Sequence, residues 1–111
     1  NKILYIYTIQ IPKQMSIVSI KHKRLKLLWT KGDKSKVNAL QIKKLVRVLT
    51  IIDALEQVPE DLVNLINLKP HKLSGNYSEF WSIWISGNYR IIFKFNNDKR
   101  EASDLDFIDY H

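Results

Sequence analysis

The sequence predicts an α+β fold, with two helices near the start packed on an antiparallel sheet of three to four strands. Apolar residues recur every three or four positions through the first half of the chain. The period then drops to two, in runs rich in aromatic and β-branched residues. Two of those runs flank Ser86-Gly87-Asn88, a hairpin signal. Helical segments followed by a meander of strands place the helices on one side of the sheet.

Residues 1–14 stand apart. Leu4-Tyr5-Ile6-Tyr7-Thr8-Ile9-Gln10-Ile11 is strand-like but stops at Pro12, and Met15-Ser16-Ile17 makes a natural domain start. The reading is an N-terminal extension, 1–14, ahead of one domain, 15–111. The extension lacks the charged start, apolar core and small-residue cleavage site of a signal peptide. Residues 16–20 read as a short first strand. Residues 22–31 read as a basic helix with Leu25, Leu28 and Trp29 inward, ended by Gly32 where a left-handed residue is needed. In the second helix Asn38 can cap the start, and Ile42, Leu45, Leu49 and Ile52 form the apolar stripe. Pro59 breaks the pattern, and Pro59-Glu60-Asp61-Leu62 can open one further turn. Strands follow over 80–85, 89–95 and 102–108, with a second turn at Asn96-Asn97-Asp98-Lys99.

The hairpin register decides which residues face outward. A three-residue loop pairs Ile85 with Tyr89, Ile83 with Ile91 and Trp81 with Phe93, gathering the bulky residues on one face. Ser82, Trp84, Arg90, Ile92 and Lys94 then occupy the other. A two-residue loop would set Arg90 among Trp81, Ile83 and Ile85, burying its charge at a cost. The three-residue loop is preferred, leaving Arg90 on the open face.

At 111 residues the chain is long enough for one core. Its apolar runs are too short for a membrane-spanning helix, and with no cysteine it has neither disulfides nor thiolate chemistry. A soluble cytoplasmic protein is expected, without membrane partners. Eighteen Lys and Arg against eleven Asp and Glu give a net charge of +7. The imbalance is regional: between positions 21 and 47 there are ten basic residues and one acid, Asp33. Such a block favours a polyanion through counterion release, although a solvated helix face explains it nearly as well.

No His or Cys spacing suggests a metal, no nucleophile elbow suggests Ser-His-Asp chemistry, and the three glycines sit at turns rather than in a phosphate loop. No cofactor is expected. An open face with Arg90, Lys94 and Trp84, beside a basic helix carrying Lys23 and Arg24, suits single-stranded RNA: cations meet phosphates and rings stack on bases. The alternative is that Arg90 pairs with a carboxylate such as Asp106. Metal-free RNA cleavage needs a base for the 2′-hydroxyl, a cation for the phosphorane and an acid for the departing 5′-oxygen. His71, Arg90, Tyr110 and His111 offer those parts, and Asp109, Tyr110 and His111 bring a carboxylate, a ring and an imidazole together at the end of the last strand. Lone histidines with purely structural roles are the competing account.

Several motifs occur in a telling order: Lys21-His22-Lys23 with Leu25-Lys26, Lys31-Gly32-Asp33, the stretch from Lys69-Pro70-His71-Lys72-Leu73 to Ser74-Gly75, Trp81-Ser82-Ile83, Gly87-Asn88-Tyr89-Arg90-Ile91 with Phe93 and Phe95, and Asp109-Tyr110-His111. From about Met15 to His111 the set resembles the HigB-like toxins of the RelE/ParE superfamily. The resemblance implies a compact RelE-like microbial RNase fold and a type II toxin that cleaves translated mRNA on the ribosome as a metal-independent endoribonuclease. It further implies a HigA-like helix-turn-helix antitoxin, with operator DNA bound through the toxin–antitoxin complex. By the same resemblance His71 is an active-site residue, Arg90 stabilises the scissile phosphate, His111 transfers a proton, Tyr110 positions or stacks on a base and Asp109 orients neighbours. Family members often carry lysine at the position of Ser74 and proline at that of Lys72, so Lys72 is a candidate for the missing cation. The rival readings are a ParE-like toxin directed at a protein such as DNA gyrase and a plain RNA-binding domain.

Overall fold

The computed structural model describes residues 15–110; the 1–14 segment and His111 lie outside them. Helix α1 is Lys23–Lys31 and helix α2 is Ile42–Asp53. The His22 side chain caps α1, its Nδ1 accepting the Leu25 N–H at 3.2 Å. Gly32 closes the helix at φ 67, donating to Leu28 O while Asp33 N–H donates to Leu27 O. Helix α2 starts later than an Asn38 cap implies. Asn38 instead forms a preceding turn, its Oδ1 accepting from Leu40 N–H and its carbonyl from Gln41 N–H. The α2 stripe is as read, with Leu45, Leu49 and Ile52 buried, and Val48 joins it.

Pro59 is followed by one 3₁₀ turn, Glu60–Leu62, as the sequence suggests. Four strands then build a single antiparallel sheet in sequence order: β1 His71–Lys72, β2 Trp81–Ser86, β3 Tyr89–Asn96 and β4 Glu101–Asp109. At two residues, β1 is too short to leave a periodic signal in the sequence. The β2–β3 register pairs Trp81 with Phe93 and Ile83 with Ile91, matching the expected faces. Its turn differs in detail: Ser86 pairs with Tyr89, and a bulge between Trp84 and Ser86 absorbs the extra residue. The bulge restores the inward set that a three-residue loop would produce.

The first strand is incomplete. Ile17 and Ile20 make isolated parallel bridges to Ala102 and Leu105 of β4. Between them Asp104 turns to φ 54 and its N–H donates to Ser19 Oγ at 2.8 Å, which interrupts the ladder. The start of this segment is tied to the end of α2, where Ser16 Oγ donates to Leu55 O at 2.7 Å and Ile17 N–H to Asp53 Oδ1 at 3.0 Å.

One core joins both layers. Leu25 and Leu28 of α1, Leu45, Val48, Leu49 and Ile52 of α2, and Ile83, Ile91, Phe93 and Leu105 of the sheet are buried together. Each such side chain contributes about 1.5–3 kcal/mol by leaving water. This packing fixes the inner face of the sheet and thereby aims the alternate residues outward.

Candidate active site

Alternation along the strands gives the outer face two rows. One runs His71–Ser82–Ile92–Asp106 across all four strands, and the next runs Trp84–Arg90–Ile108. Tyr110 continues the second row beyond β4, its N–H held by Asn88 O at 2.7 Å. The face is less open than the sequence implied, since Ser82 and Ile92 are buried at 0% and 2% exposure. A half-buried surface of this kind desolvates whatever polar groups it carries.

Arg90 is the central example. Its guanidinium carbon lies 5.5 Å from the Tyr110 ring centroid, while Nε and Nη1 are buried and have no hydrogen-bond partner among the described residues. It takes no part in the ion pairs found there, and Asp106, two positions along the neighbouring strand, uses Oδ1 to accept the Phe107 N–H. The structural pairing of Arg90 with Asp106 is therefore not formed. A partly desolvated cation with unused donors, steadied by a ring, is equipped to meet an anion.

His71 is exposed on β1, and its Nδ1 lies 3.2 Å from Lys69 O. A carbonyl can only accept, so Nδ1 is the donor in that contact, and in the neutral ring Nε2 is then the acceptor. From the pairing, His71 and Arg90 stand two strands and one row apart, roughly 12 Å between Cα atoms. No hydrogen bond joins the two side chains among the described residues, and the Arg90 guanidinium leans toward Tyr110.

The terminal triplet divides. Tyr110 shares Arg90's face, whereas Asp109 pairs with Tyr89 and lines a cavity on the helix side with His22, Arg24, Lys36 and Phe107. His111 is outside the described residues. Arg24 thus lies at the α1 end of the molecule, on the other side from Arg90, and Lys23 opens the same helix. Lys94 is engaged by Asp104 Oδ2 at 3.4 Å and Glu79 Oε1 at 3.8 Å and sits over the Phe80 ring. Lys72 shares the face of Trp81, its ammonium 5.3 Å from that ring, while Ser74 precedes a 3₁₀ turn, Gly75–Tyr77, without capping it through its side chain. Among the described residues no group of three or more His, Cys, Asp or Glu is placed to hold a metal, and no helix is long and apolar enough to cross a membrane.

Sequence reasoning missed Lys44 and Lys69. Their ammonium groups lie 4.1 and 4.7 Å from the Trp84 ring centroid, and the indole Nε1–H donates to Gly87 O at 2.9 Å. Trp84 thus carries two ammonium groups against its ring. The one signal in the sequence is the positive charge at both positions, which does not reveal convergence.

Fold and face together define the class: an α+β protein with two helices behind an antiparallel sheet whose front is centred on an arginine. A family model described as the RelE-like toxin of the type II toxin–antitoxin system HigB matches residues 18–111. The endoribonuclease HigB of Proteus vulgaris is 39% identical over 95 residues, covering 86% of this chain and 99% of that protein. The chain belongs to the HigB-like toxin family.

Proposed function

We propose that this toxin is an endoribonuclease that cuts mRNA on translating ribosomes, with its chemistry on the outer sheet face. The observation that carries the reading is Arg90, a half-buried guanidinium with two unused donors beside Tyr110. The name of the Proteus vulgaris relative supports RNA cleavage over a gyrase-directed toxin or a passive RNA binder.

In the proposed reaction His71 Nε2 takes the 2′-hydroxyl proton, and the 2′-oxygen attacks phosphorus. Arg90 neutralises the charge growing on the phosphorane oxygens, where a preorganised donor has its largest effect. The bond from phosphorus to the 5′-oxygen breaks, and His111 returns a proton to that oxygen, leaving a 2′,3′-cyclic phosphate and a 5′-hydroxyl. Tyr110 steadies the Arg90 guanidinium and offers a ring to a base; Asp109, on the other face, orients the end of β4. Lys72, on the Trp81 face, and Lys94, already engaged by Asp104 and Glu79, join Lys23 and Arg24 in adding only long-range attraction for RNA. No metal or other cofactor is required by this scheme. The partner would be a HigA-like helix-turn-helix antitoxin, through which the complex binds operator DNA, and the site of action would be the cytoplasm.

The test is mapping of 5′ ends on a reporter mRNA incubated with the protein, with and without translating ribosomes. Cuts within codons that appear only with ribosomes support the reading. Growth arrest without any cut in either reaction refutes it.

A further inference from the structure

Among the described residues the outer edge of β2 beyond Ser82 has no strand beside it, because β1 pairs only with Trp81 and Ser82. Trp84 lies on that open stretch, and its Cα is the cross-strand partner of Arg90's. Lys69 arrives there from the loop ahead of β1 and Lys44 from the first turn of α2, both over the indole. Their ammonium groups are therefore no more than 8.8 Å apart, the sum of the two distances to the centroid. Neither lysine belongs to an ion pair among the described residues.

Two features show that the arrangement is maintained against resistance. Lys69 has φ 47, a left-handed conformation that is costly for a residue with a side chain and especially unusual just before proline. The Lys44 ammonium is held below the ordinary lysine pKa, first by burial and then by the positive charges of Arg47 and Lys69. An unneutralised cluster of this kind gains most from an anion.

We propose that Lys44 and Lys69, positioned by Trp84, form a second phosphate-binding site that receives the single-stranded RNA substrate as it leaves Arg90 across the sheet edge. This rests on the reading of the Arg90 face as the cleavage site. A single strand fits because Tyr110, Arg90 and Trp84 follow one row across the strands and the lysine pair sits against the ring at its β2 end, a succession that a backbone laid across the strands can follow. Trp84 orders two flexible side chains in advance, which lowers the cost of binding.

The experiment measures binding by fluorescence anisotropy across a salt series, using a fully 2′-O-methylated single-stranded RNA of about twelve nucleotides. The variants are Lys44→Ala with Lys69→Gly, a charge-matched pair Lys26→Ala with Lys43→Ala, and Arg90→Ala. The Lys44/Lys69 variant should flatten the slope of log affinity against log salt by about 0.7 for each phosphate that is no longer neutralised, and the matched pair should not. Lys69→Gly alone should weaken binding while leaving Tm unchanged or higher, because glycine is at ease at φ 47. Equal effects of the two pairs, or no effect of Lys44/Lys69 while Arg90→Ala weakens binding, would overturn the lysine site and leave the Arg90 reading standing. An Arg90→Ala variant that binds like the parent would overturn both. A weakening seen with an RNA hairpin but absent with the single strand would assign the lysines to folded ribosomal RNA, overturning the substrate-strand proposal. Dependence on the antitoxin alone, with RNA binding untouched, would mark a protein-binding surface and overturn it as well.

Discussion

Replacing Arg90 with methionine separates the needs of folding from those of function. The parent buries Nε and Nη1 without hydrogen-bond partners among the described residues, and a buried unsatisfied donor costs about 1–3 kcal/mol. Arg90 is only half-buried, so the lower end applies, giving about 2 kcal/mol for the two groups. Against this, the guanidinium over Tyr110 contributes about 1 kcal/mol, which methionine recovers only in part. The stem of the side chain is replaced by one of similar reach, so little packing is lost. Arg90→Met should therefore be more stable than the parent by about 1 kcal/mol, a rise of roughly 5 °C in Tm for a domain of this size. Cleavage should fall by about 10²–10³-fold, the usual effect of removing one donor to a developing oxyanion. Urea unfolding gives the first quantity, and primer-extension rates on translated mRNA give the second. A variant destabilised by more than about 1 kcal/mol would mean that the guanidinium is a structural group whose partners lie elsewhere.

Two further outcomes are expected. His22 has its pKa lowered by burial, against a smaller rise from Asp106 and with a further lowering from Arg24. The unfolded chain therefore binds the proton more readily, so His22 contributes stability above about pH 6.5 that is lost as pH falls through its lower folded value. Protonation also removes the lone pair that caps α1, an interaction of about 1 kcal/mol, so His22→Asn should flatten the stability profile between about pH 7.5 and 5 in urea titrations. Ser74→Lys should fold normally, since Ser74 is exposed and its side chain caps nothing, and should raise mRNA cleavage about tenfold by adding a cation for the phosphorane. An unchanged rate would show that this chain supplies that charge from another position.

Much of the architecture follows from local rules. Gly32 marks the end of α1 because only a residue free of a Cβ settles readily at φ 67, and the Leu45–Leu49–Ile52 spacing requires a helix face. Arg90 points outward because the alternative register would bury its charge, a preference that holds although the turn is built with a bulge. The chain's place among HigB-like toxins was legible too, from ordered short motifs rather than from any one of them.

What the sequence by itself determined was the order of the main elements and the inward and outward faces of the hairpin. Only the tertiary structure decided which side chains meet. Tyr110 joins Arg90 while Asp109, one residue earlier, goes to the opposite face, because strand alternation divides neighbours. Lys94 is engaged by two carboxylates, while Lys44 and Lys69, 25 positions apart, converge on one indole. Periodicity reports the direction of a side chain relative to its own element. Convergence depends on how elements pack, and that is set by the core shared between the helices and the sheet.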